Sequence, residues 1–184
     1  MSDVMTPYGA VSAELMARAA RIRLLVCDVD GVLSNGFIYM GNNGEELKTF
    51  CTRDGAGMKA VMRAGIELAI ITGRSSRIVA DRMKSLGVRH LVQGADEKLP
   101  HFERLLAELG LTPDQAAYVG DDTIDLPVMQ ACGLGIAVAD AHPLVLARAN
   151  MVTRIGGGLG AVREVCDLLL QARGLLGDVV EVSA

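Results

Sequence analysis

Residues 22–36 read IRLLVCDVDGVLSNG, an apolar run from Ile22 to Cys27 that stops on two carboxylates, Asp28 and Asp30, with Gly31 directly behind them. A leucine-rich, β-branched run without alternation is the pattern of a strand buried on both faces, as in the middle of a parallel sheet. Alternate residues of an extended chain share a face, so the two acids face the same way. At about 4 Å and an effective dielectric of about 20, two such charges repel by roughly 4 kcal/mol. Something at the end of this strand must offset that cost.

Outward from this stretch the pattern repeats. Apolar runs of strand length recur at 66–72 (IELAIIT), 116–120 (AAYVG) and 134–138 (LGIAV), with a shorter one, HLVQG, at 90–94. Helical spacing covers 12–21, with Ser12 as its predicted N-cap, and then 55–64, 76–86, 99–109 and 125–131. Strands alternating with helices predict an α/β fold, a doubly wound parallel sheet of Rossmannoid type, whose ligands lie beyond the carboxyl ends of the strands. One segment breaks the alternation. Residues 36–50, GFIYMGNNGEELKTF, read as a β-hairpin turning on Gly41-Asn42-Asn43-Gly44, placed just after the acidic pair.

With 184 residues the chain predicts a single domain, 1–184, able to bury a core without disulfide or metal staples; the tail beyond Gly174 reads as loosely packed. Hydrophobic residues make up 51% and mean hydropathy is +0.33, yet charged residues, glycine or proline break every apolar run, so no membrane span is expected. Asp3 and Glu14 near the start, without a basic and then apolar block, argue against a secretory signal and for a cytoplasmic chain. Cys27, Cys51, Cys132 and Cys166 lack ligand spacing and read as reduced thiols. His90, His101 and His142 fall in no motif and read as structural or surface residues. A net charge of −4 with 3% aromatics argues against a nucleic-acid partner and leaves a small molecule.

The polar residues that close the strands narrow the chemistry. They are Asp28 and Asp30, then Thr72-Gly73-Arg74, then Asp121, Asp122 and Asp125, with Lys98 opening the helix between. Each alone is ordinary: a cap, a turn, a solvated lysine. Together, a hydroxyl, a lysine and several carboxylates are what phosphoryl transfer needs. Mg²⁺ prefers oxygen ligands, and a divalent cation offsets the charge of Asp28, Asp30 and Asp121 drawn together.

In this order the residues resemble the haloacid dehalogenase superfamily of phosphatases, with DVDGVL as first motif, Thr72 of TGR as second, Lys98 as third and GDDTID as fourth. The stretches RDGAGMK, AIITGRSS, YVGDDTIDLPVM, AVADAHPL and GAVREVCDLLL extend the resemblance across about 11–174, to a capless branch that dephosphorylates an eight-carbon sugar acid of lipopolysaccharide synthesis. The resemblance implies that Asp28 is the nucleophile and Asp30 the general acid and base. It implies that Asp28, Asp121 and the backbone carbonyl of Asp30 hold Mg²⁺, that Thr72 and Lys98 bind the phosphate, and that Asp122 and Asp125 orient those groups. It further implies substrate contacts from Asp30, Lys98, the loop Cys51-Thr52-Arg53-Asp54-Gly55, Lys59, Arg74 and Arg82.

Thr72 follows Asp28 by 44 positions and Lys98 follows Thr72 by 26, which leaves no room for a cap domain. The hairpin is then the available cover, and the resemblance implies a homotetramer in which it packs against a neighbouring subunit. The chain departs from the family pattern at Asn35, at Cys51-Thr52 and at Gly158-Leu159. Three other readings compete. A nine-carbon sugar-acid 9-phosphate is one substrate alternative, and a non-catalytic regulatory or assembly domain is another class. A receiver domain fits poorly, having no use for Asp30.

Overall fold

The computed structural model describes residues 3–177. It opens with a small antiparallel hairpin, β1 (Val4–Thr6) and β2 (Gly9–Val11). Helix α1 (Ala13–Arg21) follows, its first turn capped by Ser12 Oγ accepting from Leu15 N at 3.1 Å. Ile22 closes this helix, so β3 begins two residues later than the apolar run suggests, at Leu24–Cys27.

The strands β6 (Glu67–Ile71), β7 (His90–Val92), β8 (Ala116–Gly120), β9 (Leu134–Ala137) and β10 (Met151–Val152) join β3 in a six-stranded parallel sheet ordered β10-β9-β8-β3-β6-β7. The run that decides the fold therefore lies centrally, between β6 and β8. Every residue of β3 and β8 is buried, where their mostly apolar side chains leave water and the ladder bonds satisfy the backbone. Cys27 pairs with Ile70 on one side and Val119 on the other, so the three strands finish side by side and Asp28, Thr72 and Asp121 emerge together.

The predicted helices appear as α2 (Thr52–Arg63), α3 (Arg77–Leu86), α4 (Leu99–Leu109) and α5 (Leu126–Ala131), with a short α6 (Pro143–Leu146) and a long α7 (Ala161–Ala172) beyond them. Helix α7 is buried along most of its length and packs mainly on α2, with α1 beside it. The sequence reading assigns α7, α6, β10 and the first hairpin to no element. Strands of two or three residues are too short to show a period and α6 is a single turn, whereas α7 carries an apolar stripe as marked as that of α4, a signal present in the sequence and not used.

The inserted hairpin forms as expected, β4 (Tyr39–Met40) against β5 (Glu46–Leu47), with Gly44 at φ +87° in its turn. Phe37, Ile38, Met40 and Leu47 on it are exposed. All four cysteines are free, and His142 Nδ1 serves locally by accepting from Leu144 N. Leu175 and Leu176 pack against the core, so the loose tail does not begin at Gly174; its remainder, 178–184, lies outside the described residues.

Candidate active site

Asp28 leaves the end of β3 only 6% exposed. Its Oδ1 accepts from Val29 N at 2.6 Å and its Oδ2 lies 3.0 Å from Lys98 Nζ. Lys98, just before α4 and equally buried, reaches Asp125 Oδ1 at 2.7 Å as well. Burial pulls the ammonium down, but the two carboxylates outweigh it and hold Lys98 above its ordinary value. Asp125 is saturated: Oδ1 also accepts from Tyr118 Oη at 2.7 Å, and Oδ2 accepts from Asp121 N at 3.0 Å and Asp122 N at 3.2 Å. Asp122, exposed, caps the turn at Thr123–Asp125 in return, so it supports the site by fixing where Asp125 stands.

Carboxylate oxygens of Asp28, Asp121 and Asp125 lie within 4.8 Å of one another. Burial, then the charges of Asp125 and Asp28, pushes Asp121 up to about 8. Burial and then Asp125 raise Asp28 to about 6 against the pull of Lys98. Asp121 Oδ1 is buried without a partner. An unpaired buried carboxylate oxygen beside two like charges is costly without a cation. With both oxygens of Asp125 occupied, Asp28 and Asp121 are the side chains left to bind one, and an all-oxygen donor set suits Mg²⁺. The approach depends on Gly31: at φ +86° it lies so near that a Cβ would stand 2.1 Å from Asp121 Oδ2.

Thr72 ends β6 and is 2% exposed; its backbone is pinned by Val92 O and Ala95 N. Asp30 faces the hairpin. Its Oδ1 meets Lys48 Nζ, its Oδ2 lies 3.9 Å from Arg74 Nε, and Arg74 continues to Glu46 Oε1 at 3.3 Å. The Lys48 side chain is only 1% exposed. Lys48 and Tyr118 are the site residues that sequence reasoning missed. Signals existed: Glu46 and Lys48 alternate on one face of a hairpin placed beside the acidic pair, and a tyrosine inside a buried strand needs a partner for its hydroxyl.

The substrate contacts implied for the 51–55 loop divide. Cys51, Thr52 and Arg53 stand at the start of α2, with Arg53 donating to Leu159 O at 2.7 Å. The Arg82 guanidinium lies over Gly55 and 5.9 Å from the Phe50 ring centroid, beside this loop. Two placements correct the reading. Asp54 is 1% exposed and turns inward, its Oδ1 accepting from Arg163 N at 2.7 Å, because α7 packs directly on α2 there. Lys59 lines a groove of about 390 Å³ with Arg63, Glu67 and Arg89, at the end of the sheet where β6 begins, because it lies two helical turns past the start of α2 at Thr52.

Residues 91–156 match the family of haloacid dehalogenase-like hydrolases. The 3-deoxy-D-manno-octulosonate 8-phosphate phosphatase of Escherichia coli (strain B / BL21-DE3) is 59% identical over 177 residues, spanning 96% of this chain and 94% of its own. The crystal structure of the phosphatase of that name from Yersinia pestis superposes with a TM-score of 0.95 at 55% identity, over 96% of this chain and 95% of that one. That from Moraxella catarrhalis, solved in complex with a magnesium ion, a phosphate ion and a KDO molecule, gives 0.91 at 41% identity, over 93% and 98%. With a parallel sheet ending in Asp28, Thr72 and Asp121, Lys98 at the start of α4 beside them, and relatives matching nearly end to end, the chain belongs to the haloacid dehalogenase-like hydrolases, in the family of 3-deoxy-D-manno-octulosonate 8-phosphate phosphatases.

Proposed function

We propose that the chain hydrolyses 3-deoxy-D-manno-octulosonate 8-phosphate to the free sugar acid and phosphate, a cytoplasmic step of lipopolysaccharide synthesis. The carrying observation is Lys98 gripped by both Asp28 and Asp125 beside the unpartnered Asp121. It puts a nucleophile, a buried cation for phosphate and a metal seat at one strand end.

An Asp28 carboxylate oxygen attacks phosphorus, and the bond from phosphorus to the sugar oxygen breaks while Asp30 delivers the proton that oxygen needs. The aspartyl-phosphate is then cleaved by water, whose proton returns to Asp30, and Asp28 is released. Lys98 and Thr72 meet the charge on the equatorial oxygens, and Asp125 keeps Lys98 aimed. Mg²⁺, held by Asp28, Asp121 and the Asp30 carbonyl, supplies positive charge that draws nucleophile and phosphate together. Arg74, exposed beside Asp30, suits the sugar-acid carboxylate because its planar fork pairs bidentately.

The hairpin supports the assembly part of this proposal. Phe37 and Ile38, which lead into β4, and Met40 and Leu47, on the two faces of the hairpin, are all exposed, apolar area of the kind that a second subunit covers. In a homotetramer this surface lies against a neighbour and helps to enclose an open site. Phosphate release from the octulosonate 8-phosphate, a nine-carbon 9-phosphate and p-nitrophenyl phosphate, with and without Mg²⁺, tests the activity. The expected order is the first substrate over the other two, with no turnover by Asp28→Asn. Equal turnover of all three would sink the substrate assignment, and an active Asp28→Asn the mechanism.

A further inference from the structure

The loop carrying Asp28 and Asp30 is backed by a distant segment. Residues 156–160, Gly-Gly-Gly-Leu-Gly, link β10 to α7 and lie backbone to backbone against it. Gly158 N donates to Val32 O at 2.8 Å. A Cβ at Gly157 would stand 1.6 Å from Gly31 O, and one at Gly158 2.5 Å from Asn35 N. No side chain fits between the two, so the position of the segment sets the position of the loop.

Three side chains hold the segment. Asp140 Oδ1 accepts from Gly157 N at 2.8 Å on one side. On the other, Arg53 donates to Leu159 O at 2.7 Å, and Asp54 Oδ1 accepts from Arg163 N at 2.7 Å, with the N–H groups of Gly160 and Val162 also facing that carboxylate. The N-cap of α7 is Gly160, which has no side chain to satisfy the first N–H groups of the helix. Asp54 does so from another helix, where a carboxylate also complements the helix dipole. Its Oδ2 is buried and unpartnered. Burying a carboxylate so incompletely is unfavourable by itself, which fits a residue kept for where it holds the backbone.

We propose that Asp54 is a positioning residue: it caps α7 from α2 and thereby fixes segment 156–160 against the loop of Asp28 and Asp30, without touching substrate. The inference rests on the phosphatase reading above and deepens it. A shift of the segment alters how Asp30 stands to Asp28, and misplacement by about 1 Å can cost about 100-fold in rate. Such a loss falls on kcat and is the same for every phosphomonoester, because the displaced groups are those common to all of them.

The test uses the full chain with Mg²⁺, well below each variant's melting temperature, and compares Asp54→Asn and Asp54→Ala on the sugar-acid phosphate and on p-nitrophenyl phosphate. Asn keeps an acceptor oxygen for Arg163 N, so kcat should fall about tenfold, and with Ala about 100-fold, with KM unchanged and equal factors on both substrates. Gly157→Ala, which displaces the same segment independently, should give the same pattern even where Asp54→Ala fails to fold. A rise in KM confined to the sugar-acid phosphate would make Asp54 a substrate contact and overturn the inference. So would folded variants with lower melting temperatures and unchanged kcat. Wild-type protein inactive on both substrates would overturn the phosphatase reading itself, and this role with it.

Discussion

Binding of Mg²⁺ should release about one proton at pH 7. In the metal-free protein burial and the neighbouring acids Asp125 and Asp28 hold Asp121 up to about 8, while burial and Asp125 hold Asp28 at about 6. At pH 7 Asp121 is then mostly protonated and Asp28 mostly ionised, and a metal needs both as carboxylates. Release should diminish above pH 8, and the apparent affinity should climb with pH near neutrality before flattening above about pH 8. Titration calorimetry at pH 7 in PIPES and in Tris reads the proton directly, since their ionisation enthalpies differ. Equal heats in the two buffers, or an affinity flat from pH 6 to 9, would refute this account of the acidic cluster. The same shift carries a stability sign. A carboxyl raised above its unfolded value of 3.8 makes the folded, metal-free protein bind more protons than the unfolded chain, so its stability falls as pH rises from about 4 to about 8. Saturating Mg²⁺ should remove that fall.

Three substitutions probe other parts of the site. Tyr118→Phe deletes a buried hydrogen bond to Asp125 and should cost about 2 kcal/mol, a melting temperature lower by about 4–8 °C by calorimetry; an unchanged melt counts against Asp125 as the hub. Lys48→Met removes the cation on Asp30 and should lower kcat/KM for the sugar-acid phosphate at least about tenfold, about 1.4 kcal/mol, while steady-state kinetics at wild-type level would show that the hairpin plays no part in the cycle. Gly31→Ala must strain a left-handed backbone and push Asp121 aside. Its Mg²⁺ affinity should fall by more than about tenfold in the same calorimetric titration, and wild-type affinity would mean that Asp121 is not a ligand.

What the sequence determined by itself is the architecture and the first ring of chemistry. Central parallel strands are buried on both faces, so they appear as unbroken apolar runs, and the residues that end them converge because adjacent parallel strands finish at one edge. Asp28, Thr72 and Asp121 were legible for that reason, Lys98 from its place at the start of a helix on the same side, and the hairpin from its turn behind Asp30. The tertiary structure decided the rest. Asp54 looks like part of a substrate loop until α7 is seen to bring Arg163 against it from 109 positions away. Lys59 reads as a contact until the length of α2 carries it to the far end of the sheet, and Tyr118, Lys48 and segment 156–160 gain their roles only from partners on other elements. Periodicity records which face of an element is buried, whereas the partner of a buried polar group is set by how whole elements pack, and no local pattern carries that distance.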